Sequence, residues 1–250
     1  MSSYFEKFPN TFYNFGNETT PTVFQNIQKY SELIDTYRDN IGVYVEYEIR
    51  DGDRPDTVSQ LLYGRPDYEW TFFLMNERLR EAGWPLSVQS VYERAVNDYF
   101  PNYTARLNIT TADSSAEYAD IYPVGQSVLV SGVEGIVVRK DLQVGEITIQ
   151  SSSSLIGGVT LSYSAEDQDT DRPLTVNTSV TMVYEYEGYH HYVDGNGDYT
   201  DRYFDASVKV PVTNLEHLID ENEESKRIRV IKKDLIRDVV GKYKQIISVS

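Results

Sequence analysis

Imidazole nitrogen is a common metal ligand, and the chain has three histidines and no cysteine. His190 and His191 are adjacent, and His217 lies well downstream of them. Successive side chains of a strand point to opposite faces, so the adjacent pair is not expected to hold one ion together. His217 falls in a predicted helix far along the chain. The sequence therefore predicts no metal site and no cofactor.

A second metal candidate is the sequence DGNGD, which stands between two aromatic runs. Its oxygen donors imitate a calcium loop: Asp194, Asn196, Asp198 and either Thr200 or Asp201. However, Tyr199 stands where an EF-hand needs glycine, and Asp205 stands where it needs a bidentate glutamate. Asn-Gly between aromatic runs is a strong hairpin signal, because that pair tolerates positive φ angles. We predict a hairpin tip that binds no calcium.

Catalytic signatures are missing from the sequence. It contains no GxSxG, no P-loop, no HExxH and no cysteine. The paired acids Asp51/Asp53 fall in a predicted turn, and Glu223/Glu224 fall on a solvated helix, where carboxylates are usually surface charge. A glycosidase with two acids from distant segments remains an alternative, because spacing alone does not remove it. We expect a protein that is not an enzyme.

Composition limits the partners. The 250 residues include 23 Lys plus Arg and 39 Asp plus Glu, for a net charge of −16, which disfavours non-specific nucleic-acid binding. The sequence has no apolar run long enough to predict a membrane span, and its N-terminus has no secretory signal pattern. The lack of cysteine fits a reducing cytoplasm. The 21 tyrosines favour protein interfaces or sugar-stacking surfaces, or simply a strand-rich structure.

The remaining patterns predict the elements that position these groups. Apolar residues near a 3.6-residue period predict a helix from Val23 to Tyr37. Alternation in GVYVEYEIR then predicts a strand. Residues 98–164 contain short apolar runs separated by Gly, Ser and Asp, which predict a small β-barrel or sandwich. The fold class is thus α+β, with predicted domains at 1–40, 41–97, 98–175 (the β-rich insert), 176–212 (the aromatic hairpin) and 213–250.

The sequence DGDRPDTVSQLLYG predicts a turn followed by a short helix. Gly52 permits the turn, and the Asp53 carboxylate is expected to accept from exposed N–H groups of the helix. Pro55 fits a first helical turn because no donor is needed there. Gly64 can adopt the left-handed conformation that ends the helix.

The next predicted helix, residues 66–75, is apolar on two opposite sides. One side carries Trp70, Phe73 and Leu74, and the other carries Tyr68, Phe72 and Met75. A helix apolar on both sides is buried on both. Later segments of this chain and a partner protein are the two candidate covers for the second side. We assign the partner interface to it, together with Trp70.

The C-terminal part predicts a helix, a strand and a helix. Asn214 is expected to cap the first helix, RIRVI alternates like a strand, and Asp234 is expected to cap the last helix. The last helix has one apolar face: Leu235, Ile236, Val239, Val240, Tyr243, Ile246 and Ile247. We add Leu235, Val239, Tyr243 and Ile246 to the predicted partner interface.

Two separated stretches resemble one family. The first is the predicted N-terminal helix, the strand and DGDRPDTVSQLLYGRPDYEWTFFLMNERLREAGWPLS, in which YG, W-x-x-F, WPLS and Asn76 at the end of the second helix are family-like. The second is NLEHLIDENEESKRIRVIKKDLIRDVVGKYKQII. Both resemble the LysM-like baseplate wedge subunit of T-even-type contractile-tailed phages (myoviruses).

The resemblance implies a structural virion protein, assembled in the host cytoplasm. Its implied role is to clamp neighbouring wedge proteins in several copies, against other baseplate and tail-tube-proximal proteins, with neither nucleic acid nor membrane as partner. The alternative is a peptidoglycan-binding LysM module of a cell-wall-associated protein. A LysM module would continue from its second helix into a closing strand, whereas the sequence after Asn76 looks helical, which argues against glycan binding.

Overall fold

A computed structural model describes residues 10–13, 16, 20, 22–25, 42–107, 121–141, 143–166, 173–200 and 209–248. Within these ranges the chain has six α-helices and thirteen strands in several sheets, which confirms the predicted α+β class. None of the helices in these ranges is long and apolar enough to cross a membrane.

The first elements are β1 (Asn10–Tyr13), β2 (Thr22–Gln25), β3 (Tyr44–Glu48), α1 (Pro55–Tyr63), a 3₁₀ turn (Pro66–Tyr68), α2 (Trp70–Met75), α3 (Glu77–Ala82) and α4 (Val88–Tyr99). The middle of the chain is β4 (Asn102–Arg106), β5 (Ser127–Val130), β6 (Val133–Asp141), β7 (Glu146–Gln150), β8 (Gly157–Glu166) and β9 (Pro173–Tyr184). The last elements are a 3₁₀ turn (Glu185–Glu187), β10 (Tyr189–Val193), β11 (Tyr199–Thr200), β12 (Val210–Thr213), α5 (Asn214–Ser225), β13 (Arg227–Ile231) and α6 (Ile236–Ser248).

The chain forms two compact units. The first, which we call the split unit, combines residues 1–88 with residues 221–250, and the second, the barrel unit, comprises residues 89–220. The predicted division into five domains stays a prediction. Its boundary after residue 175 falls inside β9.

The N-terminal end differs from the sequence expectation. Residues 22–25 form β2 and pair antiparallel with β1, so the predicted helix does not begin at Val23. The apolar period there was misleading, because Thr22, Val23 and Phe24 are residues that favour strands. The rest of the predicted helix, residues 26–37, lies outside the described residues.

The sheet of the split unit joins distant parts of the sequence. β3 and β13 pair antiparallel, with Tyr44 opposite Ile231 and Glu48 opposite Arg227. As predicted, the sequence directly after Asn76 is helical, in α3 and α4. The strand that pairs with β3 comes instead from the C-terminal part of the chain, so the argument against glycan binding that rested on the lack of a closing strand falls away.

The core of the split unit is built from both of its sequence segments. Its buried cluster consists of Val43, Ile49, Val58, Tyr63, Tyr68, Phe72, Met75, Leu79, Ile228, Val230, Ile231, Ile236, Val239 and Val240. The apolar faces of α1, α2 and α6 thus enclose one side-chain core together with the alternating residues of β13. Neither segment alone contains this core.

The barrel unit contains a closed six-stranded barrel with the strand order β4-β7-β6-β5-β8-β9, in which β9 also pairs with β4. Alternate residues fill its interior, as in Ile147 and Ile149 on β7 and Val128 and Val130 on β5. A separate three-stranded sheet has the order β11-β10-β12.

Candidate functional site

Three residues of the sequence DGDRPDTVSQLLYG shape α1 and its flanks. Gly52 has φ 77° in the turn, Pro55 occupies the first helical turn, and Gly64 ends the helix with φ 72°. Positive φ is strained for a residue with a Cβ, which is why glycine stands at both positions.

The Asp53 carboxylate does not cap α1, contrary to the prediction. Arg54 is the N-cap residue, and its backbone N–H donates to Thr57 Oγ1 at 3.1 Å, while that hydroxyl donates back to the Arg54 carbonyl at 2.7 Å. Asp53 contributes its backbone carbonyl, which accepts from Trp84 Nε1 at 2.7 Å. Its neighbour Asp51 accepts a backbone N–H at the start of a different helix, α4.

Asp51 links three sequence segments. Its Oδ1 accepts from the backbone N–H of Val88, at the start of α4, and from Lys226 Nζ, both at 3.1 Å. The hydrogen bond from Lys226 is the main reason why the pKa of Asp51 lies below its usual value. Burial opposes the charge of Lys226, but its bonds to Glu223 and Asp51 outweigh burial and raise the pKa of the lysine. The sequence predicts surface charge at Asp51 and Glu223, and both are exposed, but both also bind the buried ammonium group of Lys226.

Two asparagines bind the backbone of the opposite segment in the same way. Asn76 Nδ2 donates to the carbonyl of Arg229, and the Arg229 N–H donates to Asn76 Oδ1, each at 2.8 Å. Asn222 Nδ2 donates to the carbonyl of Leu86 at 2.9 Å and accepts from the Leu86 N–H at 2.8 Å. We call these pairs the Asn76 clamp and the Asn222 clamp. Each side-chain amide bonds both the backbone N–H and the carbonyl of one residue.

The clamps explain family-like positions. Asn76 was predicted to end the second helix, and it does so by also donating to the Phe72 carbonyl at 2.8 Å. Leu86 lies in the WPLS sequence, and Asn222 lies in the acidic stretch before β13. The sequence alone does not show that Asn76 contacts Arg229 or that Asn222 contacts Leu86. An ion pair between Arg78 Nη1 and Glu224 Oε2, at 2.7 Å, also joins the two sequence segments of the split unit.

The residues predicted to bind partners are largely covered by this chain itself. Tyr68, Phe72, Met75, Val239 and Tyr243 are buried. Trp70 and Leu235 are half-buried against the same core. The ring centroids of Trp70 and Tyr243 lie 4.6 Å apart, so the side of α2 that carries Trp70 contacts α6. Within this chain α6 and β13 cover α2, and the assignment of these residues to a partner interface stays a prediction. The side chain of Ile246 lies outside the described set.

The sequence predicts that His190 and His191 point to opposite faces of a strand, but this alternation does not hold here. His190 Nδ1 and His191 Nδ1 are 2.9 Å apart, and the ring of His217 stacks on that of His190 at a centroid distance of 3.8 Å. Burial and the neighbouring His217 lower the pKa of His191, while Asp220 acts in the opposite direction. The three histidines therefore form one cluster.

The DGNGD sequence forms a hairpin tip between β10 and β11. Asp194 Oδ1 accepts from the backbone N–H groups of Asn196 at 2.8 Å and Asp198 at 3.0 Å, and Gly197 has φ 88°. One of the proposed calcium donors thus already binds the backbone of its own loop. Asp201 and Asp205 lie outside the described residues.

The start of α5 shows a cap that the sequence could have revealed. Thr213, not Asn214, is the capping residue. Its N–H and its hydroxyl donate to Glu216 Oε2 at 2.8 and 2.9 Å, and the Glu216 N–H donates back to the hydroxyl at 3.2 Å. Thr-x-x-Glu is the signature of a capping box. Asn214 is buried and donates to the Glu185 carbonyl at 2.7 Å.

The N-terminal hairpin exposes most of its apolar surface. Phe12 is 68% exposed, Tyr13 59%, Val23 52% and Phe24 44%. In the register Phe12 lies opposite Val23, and Tyr13 lies opposite Thr22. Because side chains alternate along a strand, Phe12 and Val23 share one face while Tyr13 and Phe24 share the other. Both faces of the hairpin thus carry exposed apolar side chains.

A comparison with protein families identifies what the N-terminal part is similar to. A family model described as "Base plate wedge protein 53" matches residues 5–105. The match covers the hairpin, β3, the helices α1 to α4 and the first barrel strand. A search of curated proteins found no match. The family match supports a structural protein of the phage baseplate, and hence a place in the virion among other baseplate proteins.

Proposed function

We propose that the chain is a baseplate wedge subunit that clamps neighbouring wedge proteins in a contractile phage tail. The match of residues 5–105 to a baseplate wedge family supports the class of protein. The observation that carries the clamping role is the N-terminal hairpin of β1 and β2, whose two faces both carry exposed apolar side chains.

An isolated two-stranded hairpin is marginally stable in water, and burying its apolar side chains stabilises it. Phe12 and Val23 would face one protein surface, while Tyr13 and Phe24 would face a second. A hairpin that inserts between two surfaces joins them, which is the action required of a clamp. The occupants are other baseplate wedge and tail-tube-proximal proteins, and several copies of the chain act in one symmetric particle assembled in the host cytoplasm.

We infer further that the split unit is LysM-like and serves protein docking. β3, α1 and α2 follow one another in the sequence, and β13 from the C-terminal part pairs with β3, which supports a strand-helix-helix-strand arrangement. In this arrangement the C-terminal segment supplies the closing strand. The unit would then be the rigid base from which the hairpin reaches its partners.

The hairpin proposal is tested with Phe12→Asp in a phage whose own copy of the gene is inactivated. Phe12 is largely exposed, so the free protein should fold normally. A charge buried without a partner costs several kcal/mol, so the variant should be lost from purified particles. Incorporation is measured by mass spectrometry of particles, and folding by thermal unfolding of the free chain.

Leu61→Asp provides the matched control. Leu61 is 65% exposed on α1, so this variant introduces the same charge at a similarly exposed apolar site outside the hairpin. It should enter particles at the wild-type level. Equal incorporation of both variants would contradict the proposal. Saturable binding of the wild-type chain to peptidoglycan fragments would instead favour the carbohydrate-binding alternative.

A further inference from the structure

We propose that His190, His191 and His217 form a binding site for a divalent transition-metal ion, for which Zn²⁺ is the probe. The site lies in the barrel unit and is separate from the proposed docking hairpin. Ligand-capable atoms of the three side chains all lie within 4.8 Å of one another. Tetrahedral Zn–N bonds of about 2.0–2.1 Å place ligand nitrogens roughly 3.3 Å apart, which lies between the shortest and the longest separations of this cluster.

A β-bulge brings the neighbouring histidines together. Tyr189 lies opposite Thr213 in the ladder and His191 lies opposite Val212, so β10 contains one residue more than β12 at His190. A bulge breaks the alternation of side chains and redirects one of them. His190 and His191 can therefore present their rings on the same side of the sheet, where His217 on α5 meets them.

The composition of the cluster selects the kind of ion. Imidazole nitrogens suit Zn²⁺, Cu²⁺, Fe²⁺ and Ni²⁺, whereas Mg²⁺ and Ca²⁺ prefer oxygen ligands. The chain has three histidines and no cysteine, so every imidazole in the protein belongs to this cluster. His190 is exposed and the other two are half-buried, which leaves a path for an ion.

Binding requires one local adjustment. The rings of His190 and His217 are nearly parallel, with an interplanar angle of 13°, so one of them must turn about its Cβ–Cγ bond to point at a shared ion. Water would complete a tetrahedral site. The bound ion would link β10 to α5. In the sequence, the DGNGD hairpin and β12 lie between these two elements.

The test uses the full-length chain without a histidine tag, purified in the presence of a chelator that is then removed. Zn²⁺ is titrated by calorimetry in excess Mg²⁺, which occupies weak carboxylate sites. One ion should bind per chain. Outer-shell changes typically cost 10–100-fold in metal affinity, so removing a ligand with His217→Gln or His191→Gln should weaken binding at least about tenfold.

A matched control and an independent readout complete the test. Asp194→Asn alters an acidic loop of the same unit and should leave the affinity unchanged. NMR of the wild-type imidazole nitrogens should show all three histidines shifting together as Zn²⁺ is added. Absence of binding, an affinity unchanged in both histidine variants, or Zn²⁺ binding without imidazole shifts would each overturn the proposal.

Discussion

The two units of this protein complete their sheets by different means. In the barrel, each strand pairs with a backbone on both sides, so no edge is left. In the split unit β3 and β13 form a two-stranded sheet, and the outer edge of β13 is covered by side chains. The Asn76 clamp occupies both backbone groups of Arg229, and Tyr63 Oη donates to the carbonyl of Ile231 at 3.0 Å.

This difference makes the two units sensitive to different changes. A backbone ladder forms with any side chains of suitable shape and polarity, so the barrel depends mainly on its alternating apolar pattern. The split unit depends on a few specific side chains that meet across the seam between its two sequence segments. Burial raises the pKa of Tyr63, which is consistent with a phenol held inside this seam as a hydrogen-bond donor.

The largest effect is expected from Phe72→Ala. Phe72 has 0% exposure, and its ring centroid lies 6.0 Å from that of Tyr63 and 5.8 Å from that of Trp84. Truncating a buried phenylalanine leaves a cavity and costs about 3–5 kcal/mol. Hydrogen exchange should speed up for amides of the split unit and stay unchanged in the barrel strands.

Phe12→Ala serves as the control for this prediction, since the exposed Phe12 ring leaves no cavity and its loss should hardly change exchange in β3 or β13. Equal acceleration of exchange in the barrel strands would show that the two units unfold together. The comparison between independent units would then fail.

The second prediction concerns the barrel unit and a buried carboxyl group. Glu146 begins β7 and is 4% exposed, with Arg106 Nε at 3.1 Å and the Tyr189 N–H at 2.7 Å from its two oxygens. Burial raises its pKa from 4.5 to about 7, although both hydrogen bonds favour the charged form. The folded protein thus holds this proton more tightly than the unfolded chain does.

The sign of the pH effect follows from this raised pKa. The contribution to stability is fully present below about pH 4.5 and is lost as the pH rises through about 7. The shift corresponds to about 3 kcal/mol. Glu146→Gln should remove this loss, so the difference in unfolding free energy between variant and wild type should change by that amount from pH 4.5 to pH 8, measured by urea denaturation. Glu187→Gln, at an exposed site, should show no such change.

Local sequence signals predicted much of the fold. Gly64 ends α1, Asn-Gly forms a hairpin tip, and RIRVI is a strand, because each pattern acts through the conformation of a few adjacent residues. The short apolar runs likewise predicted a β-rich segment, and five of the six barrel strands lie within its predicted bounds of 98–175. The helix assigned from Val23 was wrong at its start, because pairing with β1 outweighs a weak helical period.

Features that depend on distant residues could not be read from the sequence. The contact of Asn76 with Arg229 depends on β13 lying beside α2, and no local pattern states that neighbour. The histidine cluster depends on a bulge at His190, which reverses the conclusion drawn from strand alternation. The apolar faces of α2 and α6 were correctly predicted to be buried, and in the structure they belong to one shared core.

The smallest predicted effect distinguishes the two asparagine clamps. Asn76→Ala removes three hydrogen bonds, to Phe72 and to both backbone groups of Arg229, whereas Asn222→Ala removes two, to Leu86. At about 0.5–1.5 kcal/mol for each bond, we expect a loss near 2 kcal/mol for the first variant and near 1 kcal/mol for the second. The ends of both clamps are partly open to water, which limits the loss because water can replace the missing partner.

Urea denaturation followed by the fluorescence of Trp70 and Trp84 measures this difference, because both tryptophans of the chain belong to the split unit. Asn97→Ala, at an exposed asparagine on α4, is the control and should not lower the midpoint. If Asn222→Ala costs as much as Asn76→Ala, the seam is held along its whole length and not mainly at the sheet edge. If neither variant differs from the control, apolar burial alone joins the two segments, and the contrast with the barrel disappears.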